Sequence, residues 1–162
     1  MPDCVGIGVV ALDNIEVDGY RIARAASELQ CELHAAVAVC VHDDTQGVGG
    51  LLHLRFVPHS AAKPLDLTDN TLSSDLLLLD RFCKDLRAEG ARKQSWRVRL
   101  IGHIPTTNGM ETPAATLLDL LRAYFADSRL PVECKELRRQ GAVTVYLDPR
   151  EGNVRVHAVG AQ

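Results

Sequence analysis

The most constraining stretch of the chain is HAAVAVCVHDDTQGVGGLLHLRFVP, from His34 to Pro58. Val37 to Val41 is a nearly continuous apolar run without a charge, which suits a strand covered on both faces rather than one that meets water on alternate residues. DDTQGVGG then reverses the chain, and a second apolar segment follows the paired glycines with a lone histidine, His53, inside it. Two buried strands joined by a turn are the expectation. A strand apolar on both faces needs a layer on each side, so the rest of the chain must supply those layers.

The order of the flanking segments indicates what the layers are. VGIGVVAL, Val5 to Leu12, reads as a first strand whose two glycines admit another backbone closely. Asp13 to Gly19 is a polar turn region. Tyr20 to Leu33 is ambiguous, and RIARAASELQ can make a short helix. PHSAAKPLDLTDN is a loop rich in Pro, Ser, Asp and Asn, long enough to flank a site. A helix is predicted from about Ser74 to Glu89, with Leu72, Leu76, Leu79, Phe82 and Leu86 at helical spacing, Ser73 or Ser74 as cap and Gly90 as the left-handed stop.

WRVRLI, Trp96 to Ile101, alternates apolar and basic residues as a strand with one face toward the core. A second helix is predicted from near Thr112, with Pro113 at its first position and Ala114, Leu117, Leu118, Leu121 and Phe125 buried. Pro131 introduces the strand VECKEL, Gln140 and Gly141 make a turn, and AVTVYL and VRVHAV form a hairpin across DPREGN. Strands before, between and after two helices imply an α+β fold, a layered mixed β-sheet sandwich with two main helices, rather than a doubly wound one. At 162 residues the chain suits a single domain spanning residues 1–162, and such a domain buries roughly 70% of its unfolded surface.

VAVCVHD, then GGLLH, then a proline just beyond resemble the active-site hairpin of the chemoreceptor glutamine deamidase family CheD. In that family a Gly-Ser-Cys opens the first strand, the cysteine is the nucleophile, and the histidine of Gly-Gly-x-x-His is its base. The resemblance makes His53 the former base. The Gly-Ser-Cys positions read His34, Ala35 and Ala36, and alanine has no lone pair with which to attack an amide carbon. The family's upstream catalytic threonine falls at Gln30, which lacks a hydroxyl. GHIPTTNG stands where the family has a Gly-Gly-Ala loop beside the site, so His34, Gly49, Gly50, Gly102 and His103 are the candidate binding residues.

The leading expectation is therefore a CheD-like protein of bacterial chemotaxis or related signalling, catalytically degenerate, whose partners the resemblance gives as chemoreceptor cytoplasmic segments or a CheC-type phosphatase. The alternative is an active protein-glutamine amidohydrolase that pairs a relocated thiol, Cys31 or Cys40, with His53. Cys40 shares a strand face with Ala36 but lies roughly 13 Å along it, too far to replace the lost nucleophile directly.

Five cysteines without a C-x-x-C spacing form neither a disulfide framework nor a zinc ribbon, and they read as small buried hydrophobes. His34, His53 and His103 would flank one cavity by the family alignment and offer three imidazoles to a metal, although no spacing supports that set and no cofactor is expected. Arg97 with Arg99, and Lys135 with Arg138 and Arg139, form basic clusters of the kind that are usually solvated. A net charge of -3 gives no electrostatic reason to expect nucleic acid, and no apolar run reaches the ~20 residues of a membrane span. A cytoplasmic location is the expectation.

Overall fold

A computed structural model describes residues 11–24, 27–56, 70–106 and 109–159. The strands are β1 (Ala11–Asn14), β2 (Gly19–Ala23), β3 (Ser27–Leu33), β4 (Ala36–Asp43), β5 (Val48–Arg55), β6 (Trp96–Ile104), β7 (Val132–Arg138), β8 (Val143–Leu147) and β9 (Val154–Ala158). Two helices, α1 (Asn70–Ala88) and α2 (Glu111–Ala126), precede β6 and β7 respectively. One mixed sheet has the order β2-β5-β4-β6-β7 and the other β9-β8-β3-β1.

β4 sits at the centre of the five-stranded sheet, antiparallel to β5 on one side and to β6 on the other. Every one of its residues is buried. Strand alternation divides them between two cores. Val37, Val39 and Val41 join Leu52, Leu54, Val98 and Leu100 beneath Phe82 and Leu86 of α1 and Leu118, Leu121 and Phe125 of α2. Ala36, Ala38 and Cys40 point the other way and, with Leu51 and Ile101, meet Leu29, Cys31, Leu33, Val143, Val145 and Leu147 of the four-stranded sheet. The molecule is thus helices, sheet and second sheet in three layers, and the uncharged run Val37 to Val41 is the strand shared by both interfaces.

Local chemistry fixes the ends of these elements. Gly47, at φ 62, closes the β4–β5 turn. The Asp43 carboxylate, fully buried, accepts from the backbone N–H of Thr45, Gln46 and Arg92 and from the Thr45 hydroxyl, so one side chain holds the turn and the approach to β6. Burial alone would raise its pKa, but the Arg92 amide and the Thr45 and Gln46 donors outweigh it and hold the group below the ordinary carboxylate value. At the end of α1, the Gly90 N–H bonds to Arg87 O and the Ala91 N–H to Leu86 O around a left-handed Gly90, a Schellman stop.

Several expectations need correction. RIARAASELQ is not a helix: its described residues apart from Arg24 belong to β2 and β3, because Leu29, Cys31 and Leu33 alternate with the polar residues Glu28, Gln30 and Glu32 and cover one face of the second sheet. Asp13 and Asn14 belong to β1 and not to a turn. GHIPTTNG does not begin as a loop, since β6 runs on through Gly102, His103 and Ile104. α1 starts a turn before Ser73 and Ser74, which therefore do not cap it, and Pro113 is the third residue of α2 rather than the first. α2 does bury Ala114, Leu117, Leu118, Leu121 and Phe125 as its spacing predicts. The strand proposed from Val5 and the loop following Pro58 lie outside the described residues, apart from their last few positions.

Candidate functional site

Ala36 faces Arg55 across the β4–β5 ladder and His103 across the β4–β6 ladder, and the next same-face position on β4, Ala38, faces His53. Ala36 and His53 are therefore diagonal neighbours, roughly 7 to 8 Å apart at Cα in an antiparallel pair. Both project toward the four-stranded sheet, and both are closed off from solvent, at 1% and 5% exposure.

The His53 ring is held by its surroundings. Nδ1 donates to the carbonyl of Ile15 at 3.1 Å, which leaves Nε2 as the basic nitrogen of a neutral imidazole. Burial pushes its pKa below the usual histidine value, while the Ile15 carbonyl and the carboxylates of Asp18 and Glu16 act in the opposite direction and only partly offset it. An oriented, neutral imidazole is the form a general base needs. The adjacent position offers it only a methyl group.

The backbone leading into Ala36 is constrained as well. Ala35 has φ 56, a left-handed conformation that costs an alanine roughly 1 to 2 kcal/mol. Its N–H donates to Nδ1 of His103 at 2.9 Å, and its carbonyl accepts the Phe56 N–H at 2.8 Å. His103 in turn donates Nε2–H to the carbonyl of Arg139 at 3.0 Å. Both nitrogens of this fully buried ring are thus committed to backbone groups, and His103 acts as a brace between the start of β4 and the β7–β8 connection.

The three imidazoles do not share a cavity. His53 and His103 lie on opposite sides of β4, roughly 10 Å apart by strand spacing alone. His34 is exposed and stacks on His103 with ring centroids 6.1 Å apart. Among the described residues no group of three His, Cys, Asp or Glu side chains is arranged to hold a metal.

Other candidates are placed away from the Ala36 and His53 pair. Gln30 lies on β3 between the inward-facing Leu29 and Cys31, so it points to the outer face of the second sheet, where its amide meets Asn14. Gly49 and Gly50 serve packing: a Cβ on Gly49 would sit 2.9 Å from Pro149 Cα, and one on Gly50 would sit 2.6 Å from the Phe82 ring. Gly102 faces Phe56 and Leu118. Cys31 and Cys40 are buried in the core between the sheets. Desolvation, reinforced by Cys40, pushes the Cys31 thiol well up, and desolvation pushes Cys40 up to about 12 even with Arg99 opposite it. Within the basic clusters Arg97 pairs with Asp44, Arg99 with Glu133, and Arg138 with Glu111 and Glu136, while Arg139 donates to the Gly141 carbonyl.

The site contains three groups that the sequence reading omits. Arg55, directly opposite Ala36, pairs with Asp18 at 3.2 Å. Asp18 sits at φ 61 and donates its N–H to His53 O. Asp75 of α1 stands within the influence of both, and burial, then the Asp18 charge, push its pKa up to about 6 despite Arg55. Arg55 was accessible from hairpin arithmetic, because strands closing over a short turn place Ala36 and Arg55 in register. Asp18 and Asp75 come from other elements and carry no local signal.

No family model matches the chain. Individual proteins do. A probable chemoreceptor glutamine deamidase CheD of Burkholderia orbicola is 24% identical over 136 residues, which is 83% of this chain and 55% of that protein. Its counterpart in Burkholderia vietnamiensis gives the same identity and coverage. One from Burkholderia thailandensis is 23% identical over 145 residues, 88% of this chain and 62% of the relative. The chain resembles CheD. It spans 55 to 62% of the length of these CheD relatives, and the resemblance covers most of the described fold.

Proposed function

We propose that this chain is a CheD-like chemotaxis domain that binds without deamidating, its ligands being glutamine-bearing cytoplasmic segments of chemoreceptors or a CheC-type phosphatase. The observation that carries this reading is the pairing of an oriented, neutral His53 with a methyl group at its diagonal neighbour Ala36. Deamidation by the covalent route needs a nucleophile there, and affinity for a shaped surface does not. A relocated thiolate at Cys31 or Cys40 is disfavoured because burial holds both thiols protonated at neutral pH.

The test is to incubate the protein with receptor cytoplasmic fragments, follow Gln to Glu conversion by mass spectrometry, and measure association with the same fragments and with CheC by pull-down. Association without conversion is the expected result. Conversion by the unaltered chain would overturn the non-catalytic reading, and no association above an unrelated control would overturn the binding role.

A further inference from the structure

β7 is the outermost strand of the five-stranded sheet: β6 lies on one side, and among the described residues no strand pairs with the other. The flanking bonds show which residues face that open side. Pro131 O accepts the Val98 N–H, and the Arg139 N–H donates to Ile104 O, so both ends address β6. Backbone polar groups alternate from side to side along a strand, so residues 133, 135 and 137 also address β6. Val132, Cys134, Glu136 and Arg138 then present their N–H and C=O groups outward. An open groove of about 800 Å³ lies beside this edge, between the face of β6 and β7 that carries Arg99, Ile101, Glu133 and Lys135 and the β9 residues Val154, Arg155 and Val156.

We propose that the β7 edge pairs antiparallel with β7 of a second copy of this chain, in the register that sets Cys134 opposite its own counterpart. The charge pattern selects that register. Glu133 and Lys135 share one face of β7, and about a two-fold axis through Cys134 the Glu133 of each copy faces the Lys135 of the other. A shift one way sets Lys135 opposite Lys135, and a shift the other way sets Glu133 opposite Glu133, each a like-charge cross-strand pair. The backbone agrees, because Cys134 and the Val132–Glu136 pairs are the outward-facing positions and each such pair exchanges two hydrogen bonds. Charges on an edge strand ordinarily deter pairing, but a guard of alternating sign is complementary to itself when the strand is reversed. Ten strands would then run continuously through the two copies.

Sedimentation velocity across a concentration series tests this on the intact chain. The unaltered protein is expected to dimerise. Glu133→Lys and Lys135→Glu should each weaken the dimer at least tenfold, and the double exchange E133K/K135E, which recreates opposite charges across the axis, should restore it. Both residues are exposed, and because Glu133→Lys and the double exchange lose the internal Arg99 contact alike, restoration by the double exchange isolates the pairing across the axis. In a Cys4→Ser background, a short bis-maleimide should join two copies of the chain and fail when Cys134→Ser is added. A monomer at every concentration overturns the proposal, as does a dimer indifferent to the single exchanges or one that the double exchange does not restore.

Discussion

His103 accepts the backbone N–H of Ala35 on Nδ1 at 2.9 Å, so a side chain of β6 sets the left-handed backbone that delivers Ala36 into β4. The contact requires a neutral ring, because a protonated imidazole has no acceptor nitrogen. His103→Ala would leave the half-buried Ala35 N–H and Arg139 carbonyl without their partner and would empty the volume of a fully buried ring. A loss of about 2 to 4 kcal/mol is expected in urea unfolding.

The same ring makes stability sensitive to acid. Burial, ahead of the neighbouring His34 and Arg139 charges, holds the His103 pKa below its ordinary 6.5 against the pull of the Arg139 and Gly141 carbonyls, and burial acts in the same direction at His53. Below that pH the unfolded chain binds protons that the folded chain refuses. Their contribution is therefore complete above pH 6.5 and is lost as pH falls through and below it. Melting temperature measured against pH should drop on the acid side of 6.5, and less steeply in His103→Ala than in the unaltered chain.

Restoring the nucleophile alone should not restore chemistry. In Ala36→Cys the new thiol would lie at a position now 1% exposed, beside a neutral His53 whose environment favours uncharged groups. Desolvation should keep such a thiol protonated, and the closed backbone offers a glutamine side chain no path to it. Mass spectrometry of receptor fragments should show no Gln to Glu conversion by the variant. Conversion would mean that the Ala35 brace opens in solution.

The central hairpin was legible because two physical constraints act on the same residues: β4 must be apolar on both faces, and a glycine turn sets its register with β5. α2 was legible from one apolar stripe, and β7 to β9 from alternation between clear turns. RIARAASELQ is ambiguous in sequence because its alanines have high helix propensity. The competing period-2 signal begins only at Leu29, and its reward, burial between two sheets, depends on strands far along the chain. His103 was misplaced for a related reason: glycine beside histidine suggests a loop, whereas the histidine is satisfied only because Ala35 and Arg139, from distant segments, converge on it.

Gly50 provides a test of how closely the helix layer is seated. A methyl group there would approach Cε1 of Phe82 to 2.6 Å and Cγ1 of Ile22 to 3.2 Å, and the buried Phe82 ring is hemmed in by Tyr20 at a centroid distance of 5.5 Å. Gly50→Ala should cost about 1 to 3 kcal/mol by overpacking. Phe82→Leu in the same chain should cost less than the sum of the two single changes, because it removes the ring that the methyl group strikes. Strict additivity in a double-mutant cycle would place the strain elsewhere.

Burial, with the Asp18 charge added to it, lifts the Asp75 carboxyl well above the ordinary carboxylate range. Arg55 is already engaged by Asp18 at 3.2 Å, and burial followed by the Asp18 charge raises Asp75 from 3.8 to about 6. The folded chain therefore holds this proton more tightly than the unfolded chain. The sign is the reverse of that for His53 and His103: the contribution of Asp75 is favourable below about pH 4, and it is lost as pH rises through 6, where the folded state carries an under-compensated charge. Asp75→Asn removes that charge and keeps the side chain's shape. It should raise stability at pH 7 by about 1 to 2 kcal/mol, less than the full shift would give because part of the group is solvated, and the gain should vanish near pH 4. Urea unfolding of the two proteins at pH 4 and pH 7 decides the point. An equal gain at both values would mean that the carboxylate's charge is not what strains this corner of the site.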